Sequence, residues 1–378
     1  MACPFIEEPV DVEAQILRRH LHRERIIRPR LDVLSFPDEY LFERFRFSAS
    51  SIIYINDILS PHIAHMTHRG NALSSEQILC IALRFFANGS FLYNVGDAEH
   101  VSKATVCRAV RNVTLALKRL LCTFVVFPSH RPTRLLKEEF HRIAGFPGVI
   151  GCIDGTHIPI IAPSINEGDY VNRKSVHSIN VQIICDGVHM INNVEAKWPG
   201  SVHDSRMFRE STLSARFAGG EFIYIIYIQY IVISYDQIFC FLLLQLKQTV
   251  SCIIIVEFDG YLLGDRGYPC QHYLLTPYPD PEPGPQRHYN LAHCRTRARV
   301  EMTIGILKAR FQCLRRLRVT PERACDIIVA CVVLHNIATI RGEQCPTLSP
   351  CDPGINHTPP ADTRDGRAVR DMICVNHF

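Results

Sequence analysis

The chain has 16 cysteines but no Cys-x-x-Cys pair, and its Cys and His residues never fall at the spacing of a zinc finger or ribbon. That excludes the usual structural zinc sites. No apolar leader opens the chain, since "MACPFIEEPVDVEAQILRRH" meets acids first. Reduced thiols in an intracellular compartment are therefore expected. A large excess of one charge sign is also lacking. A net charge of +4 is too small to name a partner, although the cations cluster, and nucleic acid responds to clustering.

Long apolar runs are scarce too, with one exception at residues 223 to 256. That stretch reaches about 20 residues, the length of a membrane span, only by taking in Gln229, Asp236, Gln237 or Gln245. Removing residues 223 to 258 would join "GGEF" directly to "DGYLLGD". The segment is read as an apolar insert without function, and no stable membrane association is expected.

At 378 residues the chain is long enough for more than one domain. Residues 1 to 72 form an N-terminal helical and basic segment that includes "RRHLHRERIIRPR". Residues 73 to 125 carry helical periods. Val106, Val110, Val113, Leu117 and Leu120 make one apolar stripe, and Ser102 stands where an N-cap belongs. Two helices joined by a short Gly-containing connector suggest a helix-turn-helix-like region, with Lys103, Thr105, Arg108 and Arg111 outside the stripe as DNA contacts. A small helical bundle with a cationic face would read the same way.

After "FPSHRPTR" the pattern turns to strands: "GVIGCID", "HSINVQIICDG" and "HMINNVEAKWPG", with Asp186-Gly187 as a tight turn between the last two. A helix over "SVHDSRMFRESTLSARF" follows, with Ser201 as its cap and Met207, Leu213 and Phe217 as anchors. "YLLGDRGYP" is a short buried strand ending at Gly264-Asp265. In "RTRARVEMTIGILKARFQCLRRLRV", Val300, Ile304, Leu307, Phe311 and Leu314 form an amphipathic stripe, with Glu301 beside it. The tail from 342 to 378, rich in Pro, Asp and Thr, is expected to be mostly disordered.

Asp154 in "GCIDGTHIPI" has a plain reading as a turn-forming Asp before Gly. A second reading comes from the strand ends. If the strands ending at Asp154 and Asp265 lie side by side and parallel, their carboxylates meet in the crevice where open sheets bind ligands, and the Glu301 helix can lie across that edge. Three acids at close range call for hard divalent cations, Mg²⁺ or Mn²⁺, and two such ions suit in-line displacement at a phosphodiester.

"GCIDGTHIPI", "YVNRKSVHSIN", "WPGSVHDSRMF", "LLGDRGYP", "RVEMTIGILKARF" and "ACVVLHN", in that order from about 148 to 338, resemble the PIF/Harbinger group of DDE transposases. The resemblance implies an α/β fold with a mixed sheet, an RNase H-like nuclease domain over 146 to 340, preceded by the helical region. It also implies a divalent-metal cofactor, DNA as substrate, a Myb-like partner protein, and a nuclear as well as cytoplasmic setting. By the same resemblance Asp154 is the first acid and Glu301 the last. Asp265 is taken as the middle ligand because it ends a strand, with Asp204 as an accessory carboxylate or helix cap. Arg266, Arg297, Lys308 and Arg310 are candidate phosphate contacts, and His157 and His203 candidates to orient water or phosphate.

Overall fold

The computed structural model describes residues 32–64, 72–219, 222–227, 251–256, 260–346 and 360–378. The basic N-terminal stretch and the middle of the apolar insert lie outside the described residues.

Five strands make the main sheet: β1 Val149–Pro159, β2 Ser178–Cys185, β3 Ile191–Pro199, β6 Tyr261–Leu263 and β7 Leu274–Leu275, in the order β3-β2-β1-β6-β7. Two further strands among the described residues, β4 Phe222–Tyr227 and β5 Ser251–Val256, pair antiparallel in a separate ladder at the two ends of the expected insert. β1 pairs antiparallel with β2, β2 antiparallel with β3, β1 parallel with β6, and β6 parallel with β7. The expected adjacency of the first and fourth strands is therefore present. Every residue of β2 is buried, because the strand is central and both sheet faces are covered.

One face of the sheet packs under α10 Pro285–Arg310 and α11 Pro321–Ile340. There Val300, Ile304 and Leu307 bury beside Val149, Cys152 and Ile183. The opposite face carries α8 Asp204–Arg209 and α9 Thr212–Gly219, whose Phe208, Leu213 and Phe217 pack on Ile150, Ile153, Ile184 and Leu262. The single helix expected over 201 to 217 is thus two, and the N-cap position of α8 is His203 rather than Ser201. Ser211 sits at the break, where its hydroxyl donates to the Phe208 carbonyl and accepts from the Ser214 N–H.

Two further expectations change. β1 does not stop at Asp154. It continues through Gly155, Thr156 and His157, paired residue by residue with Gln182, Val181 and Asn180. Cross-strand pairing along the whole of β2 overrides the local turn preference of Asp-Gly. Asp186-Gly187, in contrast, does turn: Asp186 Oδ1 accepts from the N–H groups of Val188 and Met190, at 3.0 and 2.9 Å. The tail expected to be disordered contains α12 Arg364–His377, capped by Thr363 and buried at Gly366, Arg370, Ile373 and Cys374. A helix of this length leaves little periodic signal after a Pro- and Asp-rich stretch, and its docking supplies the stability that propensity alone does not.

Upstream of the sheet lie α1 Asp38–Phe45, α2 Ala49–Ile63, α3 Ser75–Asn88, α4 Leu92–Ala98, α5 Lys103–Arg119, α6 Leu121–Phe124 and α7 Thr133–Ala144. The connector expected between two helices is itself helical, as α4. The stripe residues Val106, Val110, Val113 and Leu117 of α5 and Leu120 at its C-cap are buried, each a gain of about 1.5–3 kcal/mol over exposure, and Ser102 Oγ accepts from the Thr105 N–H as an N-cap. These residues share one continuous core with the sheet and with α11. Among the described residues only α11 is long and apolar enough to cross a membrane, and most of it is buried inside the protein.

Candidate active site

Asp154 lies in the middle of β1, opposite Ile183. The parallel pairing of β1 with β6 runs to Cys152 and Leu263, so Asp265, two residues beyond β6, is carried toward Asp154. The Gly267 N–H donates to Asp265 Oδ1 at 2.9 Å and orients that carboxyl. Asp204 arrives from the other direction, in the first turn of α8. A Cβ placed on Gly155 would stand 2.4 Å from Asp204 Oδ1, so only glycine beside Asp154 leaves room for this second carboxyl. Asn180 Nδ2 holds Asp204 by donating to its Oδ1 and to the Val202 carbonyl, both at 2.9 Å. Glu301 projects from α10 with its side chain 46 % exposed.

Burial pushes the Asp154 carboxyl up to about 7, Arg297 works against the rise, and Asp265, Asp204 and Glu301 add to it. Asp204 is pushed up to about 6 by burial, relieved by the Asn180 hydrogen bond, raised by Asp265 and lowered by Arg173. The four acids therefore share one electrostatic neighbourhood, in which the ionised forms lack sufficient positive charge. Their donor set is all carboxylate oxygen, which suits a hard divalent cation. Coulombic coupling reaches farther than coordination does. Among the described residues no three Asp, Glu, His or Cys side chains already stand within reach of one ion.

The nearest cation belongs to the chain itself. Arg297 Nη1 is 3.5 Å from Asp154 Oδ2, and its Nη2 pairs with Glu301 one turn along α10. Expected as a candidate phosphate contact, Arg297 is only 17 % exposed and bridges two of the acids. Its i,i+4 spacing from Glu301 is a readable signal of that pair. Arg310 is corrected more strongly: it is buried and donates to the carbonyls of Arg46 and Gln344, so its role is to tie chain segments together. Lys308 Nζ donates to Thr156 Oγ1 at 2.6 Å and to the His157 carbonyl at 3.0 Å, fastening the end of α10 to β1. Arg266 is half-buried beside Asp265.

His157 is a strand residue whose Nδ1 lies 3.0 Å from Ser178 Oγ. His203 contacts Arg173 Nη2, at 2.5 Å from its Nδ1. Sequence reasoning misses Arg173 and Asn180, although both stand in "YVNRKSVHSIN". That stretch brings a cation near Asp204 and a hydrogen bond onto it.

On α5, Lys103, Arg108 and Arg111 are exposed, while Thr105 is occupied locally, its hydroxyl 2.9 Å from Ser102 Oγ. Lys103 and Arg111 border a cavity of about 290 Å³ lined by Phe85, Val110, Leu115 and Val319. This face is concave and apolar as well as cationic.

A family model described as DDE superfamily endonuclease matches residues 153–336. The match begins next to Asp154, takes in all four acids and ends at Asn336. The human protein "Putative nuclease HARBI1" is 32 % identical over 353 residues, covering 90 % of this chain and 91 % of that protein. Its rat counterpart is 35 % identical over 310 residues, covering 81 % and 79 %. The Arabidopsis thaliana "Protein ALP1-like" is 25 % identical over 273 residues, covering 71 % of this chain and 61 % of that protein. No solved structure matches. The alignment to the human protein extends well beyond the acid-bearing segment. The chain belongs to the Harbinger transposase-derived nuclease family, within the DDE superfamily of endonucleases.

Proposed function

We propose that the protein is a divalent-metal-dependent nuclease that cleaves DNA phosphodiester bonds by in-line hydrolysis. Asp154, Asp265 and Glu301 are the ligands, with Asp204 as an accessory. One observation carries this reading: the parallel pairing of β1 with β6 and the gap at Gly155 bring Asp265 and Asp204 to Asp154, while Arg297 links Asp154 to Glu301. Such a cluster is relieved by a cation. Mg²⁺ or Mn²⁺ bound there supplies activation of water and stabilisation of the leaving oxygen. The chain's own part is positional. Asn180 fixes Asp204, the Gly267 N–H fixes Asp265, and Arg173 and Arg266 offer cations to a phosphate at the rim. The sheet order, antiparallel on one side of β1 and parallel on the other, supports an RNase H-like catalytic fold.

DNA engagement is assigned to Lys103, Arg108 and Arg111. A Myb-like partner and a nuclear and cytoplasmic setting complete the reading by family resemblance. The test is cleavage of supercoiled plasmid with Mg²⁺ or Mn²⁺ by the full chain, Asp154→Asn and Asp265→Asn. Cleavage by the wild type, with a loss of about 10³-fold or more in both variants, is expected. Undiminished cleavage in both would refute it.

A second reading is favoured by Arg297: its bridge between Asp154 and Glu301 suits a catalytically silent protein that binds DNA or a partner while its acids serve structure. Metal would then change stability without yielding product.

A further inference from the structure

We infer that Arg297 is an internal counter-ion that competes with divalent metal for Asp154 and Glu301, and that loading the site requires it to release at least one of them. The inference rests on reading the acids as a metal site. An Arg–Glu pair four residues apart on a helix is ordinarily a solvated surface pair of small consequence. This one is turned inward. Its guanidinium is largely covered, and its two Nη atoms go to carboxylates on different elements, Asp154 on β1 and Glu301 on α10.

The charges acting on Arg297 are Asp154, Glu301 and Asp265, the three acids assigned as ligands. It therefore stands in the electrostatic position a metal would take. A carboxylate oxygen engaged by an N–H⁺ has less lone-pair density for an ion, and a dication beside a guanidinium meets direct repulsion. Asp204 is held separately by Asn180, and Lys308 donates to Thr156 and the His157 carbonyl, so the cation that bridges Asp154 and Glu301 is Arg297. The arrangement also accounts for acids that are coupled electrostatically yet do not form a ready three-ligand cage. Glu301, nearly half exposed, has room to turn away when the pair opens.

The test is Mn²⁺ binding to the full-length protein at pH 8, followed by calorimetry and by the metal-induced rise in Tm, in wild type, Arg297→Gln, Arg297→Lys and Asp154→Asn. Arg297→Gln is expected to bind Mn²⁺ about five- to tenfold more tightly than wild type, with a lower metal-free Tm and a larger metal-induced rise. Arg297→Lys, which keeps the charge but cannot reach both carboxylates at once, is expected to bind Mn²⁺ with an affinity between those of wild type and Arg297→Gln. Equal or weaker binding by Arg297→Gln, with wild type binding normally, overturns this inference and leaves the metal reading intact. Binding by wild type that is unchanged in Asp154→Asn, or no binding by any form, overturns the metal reading as well. Should Arg297→Gln fail to fold, Mg²⁺ titration of the wild type observed through the Arg ¹⁵Nε resonance decides. A shift that saturates with metal supports release, and an unmoved Arg297 resonance during saturable binding overturns it.

Discussion

At the residue scale, the Asp154 carboxyl has the sharpest measurable consequence. Its folded value of about 7 lies above the 3.8 of an unpaired Asp. The metal-free fold therefore binds a proton that the unfolded chain has lost, and the resulting stability is full below about pH 4 and lost as pH rises through 7. Asp204, raised to about 6, acts in the same direction. His293 and His335 are both depressed to about 4 by burial. They contribute stability above pH 6.5 that is lost as pH falls through 4, so they do not mask the acids between pH 6.5 and 8. The Tm of metal-free protein is expected to fall across that range, and Asp154→Asn to flatten the fall; a slope unchanged by Asp154→Asn would contradict it. Asp265 and Glu301 stand where the sequence pattern suggests, just past a short strand and on an amphipathic helix, whereas Asp154 lies inside β1 and not at its end. The role of Gly155 is not legible in that pattern. Read as half of a turn, it is instead the gap into which Asp204 fits, and that role depends on a helix 49 residues downstream.

Elements carry the next part of the account. The block "ACVVLHN" has a structural use on α11: Asn336 Oδ1 accepts from the Ile191 N–H at 2.9 Å, and its Nδ2 donates to the carbonyls of Phe124 and Ile191 at 2.7 and 2.8 Å. One buried amide thus ties α11 to the start of β3 and the end of α6. Next to it, His335 Nε2 lies 2.8 Å from the His189 carbonyl. Asn336→Ala removes three buried hydrogen bonds, and a loss of about 2–4 kcal/mol in urea unfolding is expected. A loss under about 1 kcal/mol would mean that water replaces the amide. Helix stripes are the most legible elements, since period alone identifies Val106 to Leu120 and Val300 to Leu307. The break at Ser211 and the length of β1 are not, because each depends on side-chain or cross-strand bonds that a local pattern does not reveal.

For the whole molecule, the shared core sets the relation between binding and chemistry. The helices expected as a separate DNA-binding region pack on α11 and in the same apolar cluster as β1 and β2. Lys103, Arg108 and Arg111 therefore stand on a helix that shares the apolar core beneath the acids. Replacing all three with Ala is expected to lower duplex affinity and to reduce the slope of log K against log salt by roughly one for each phosphate no longer neutralised. Binding that keeps its slope would assign DNA to another surface, and the concave apolar ground beside Lys103 and Arg111 to something other than a duplex. That relation is not legible in advance, because a composition shift near "FPSHRPTR" looks like a boundary whether or not a core runs across it.

The docked C-terminal helix has a practical consequence. Gly366 lies so close to the chain at Cys270 that a Cβ there would stand 2.3 Å from the Cys270 carbonyl oxygen, and Thr363 bonds that same oxygen. α12 thereby shields β7, the outermost strand of the main sheet. A frameshift or stop codon anywhere after α11 would leave every acid in the message and still uncover a sheet edge open to pairing with other chains. Expression designs that trim the tail as dispensable would read out as inclusion bodies. Affinity tags belong at the other terminus.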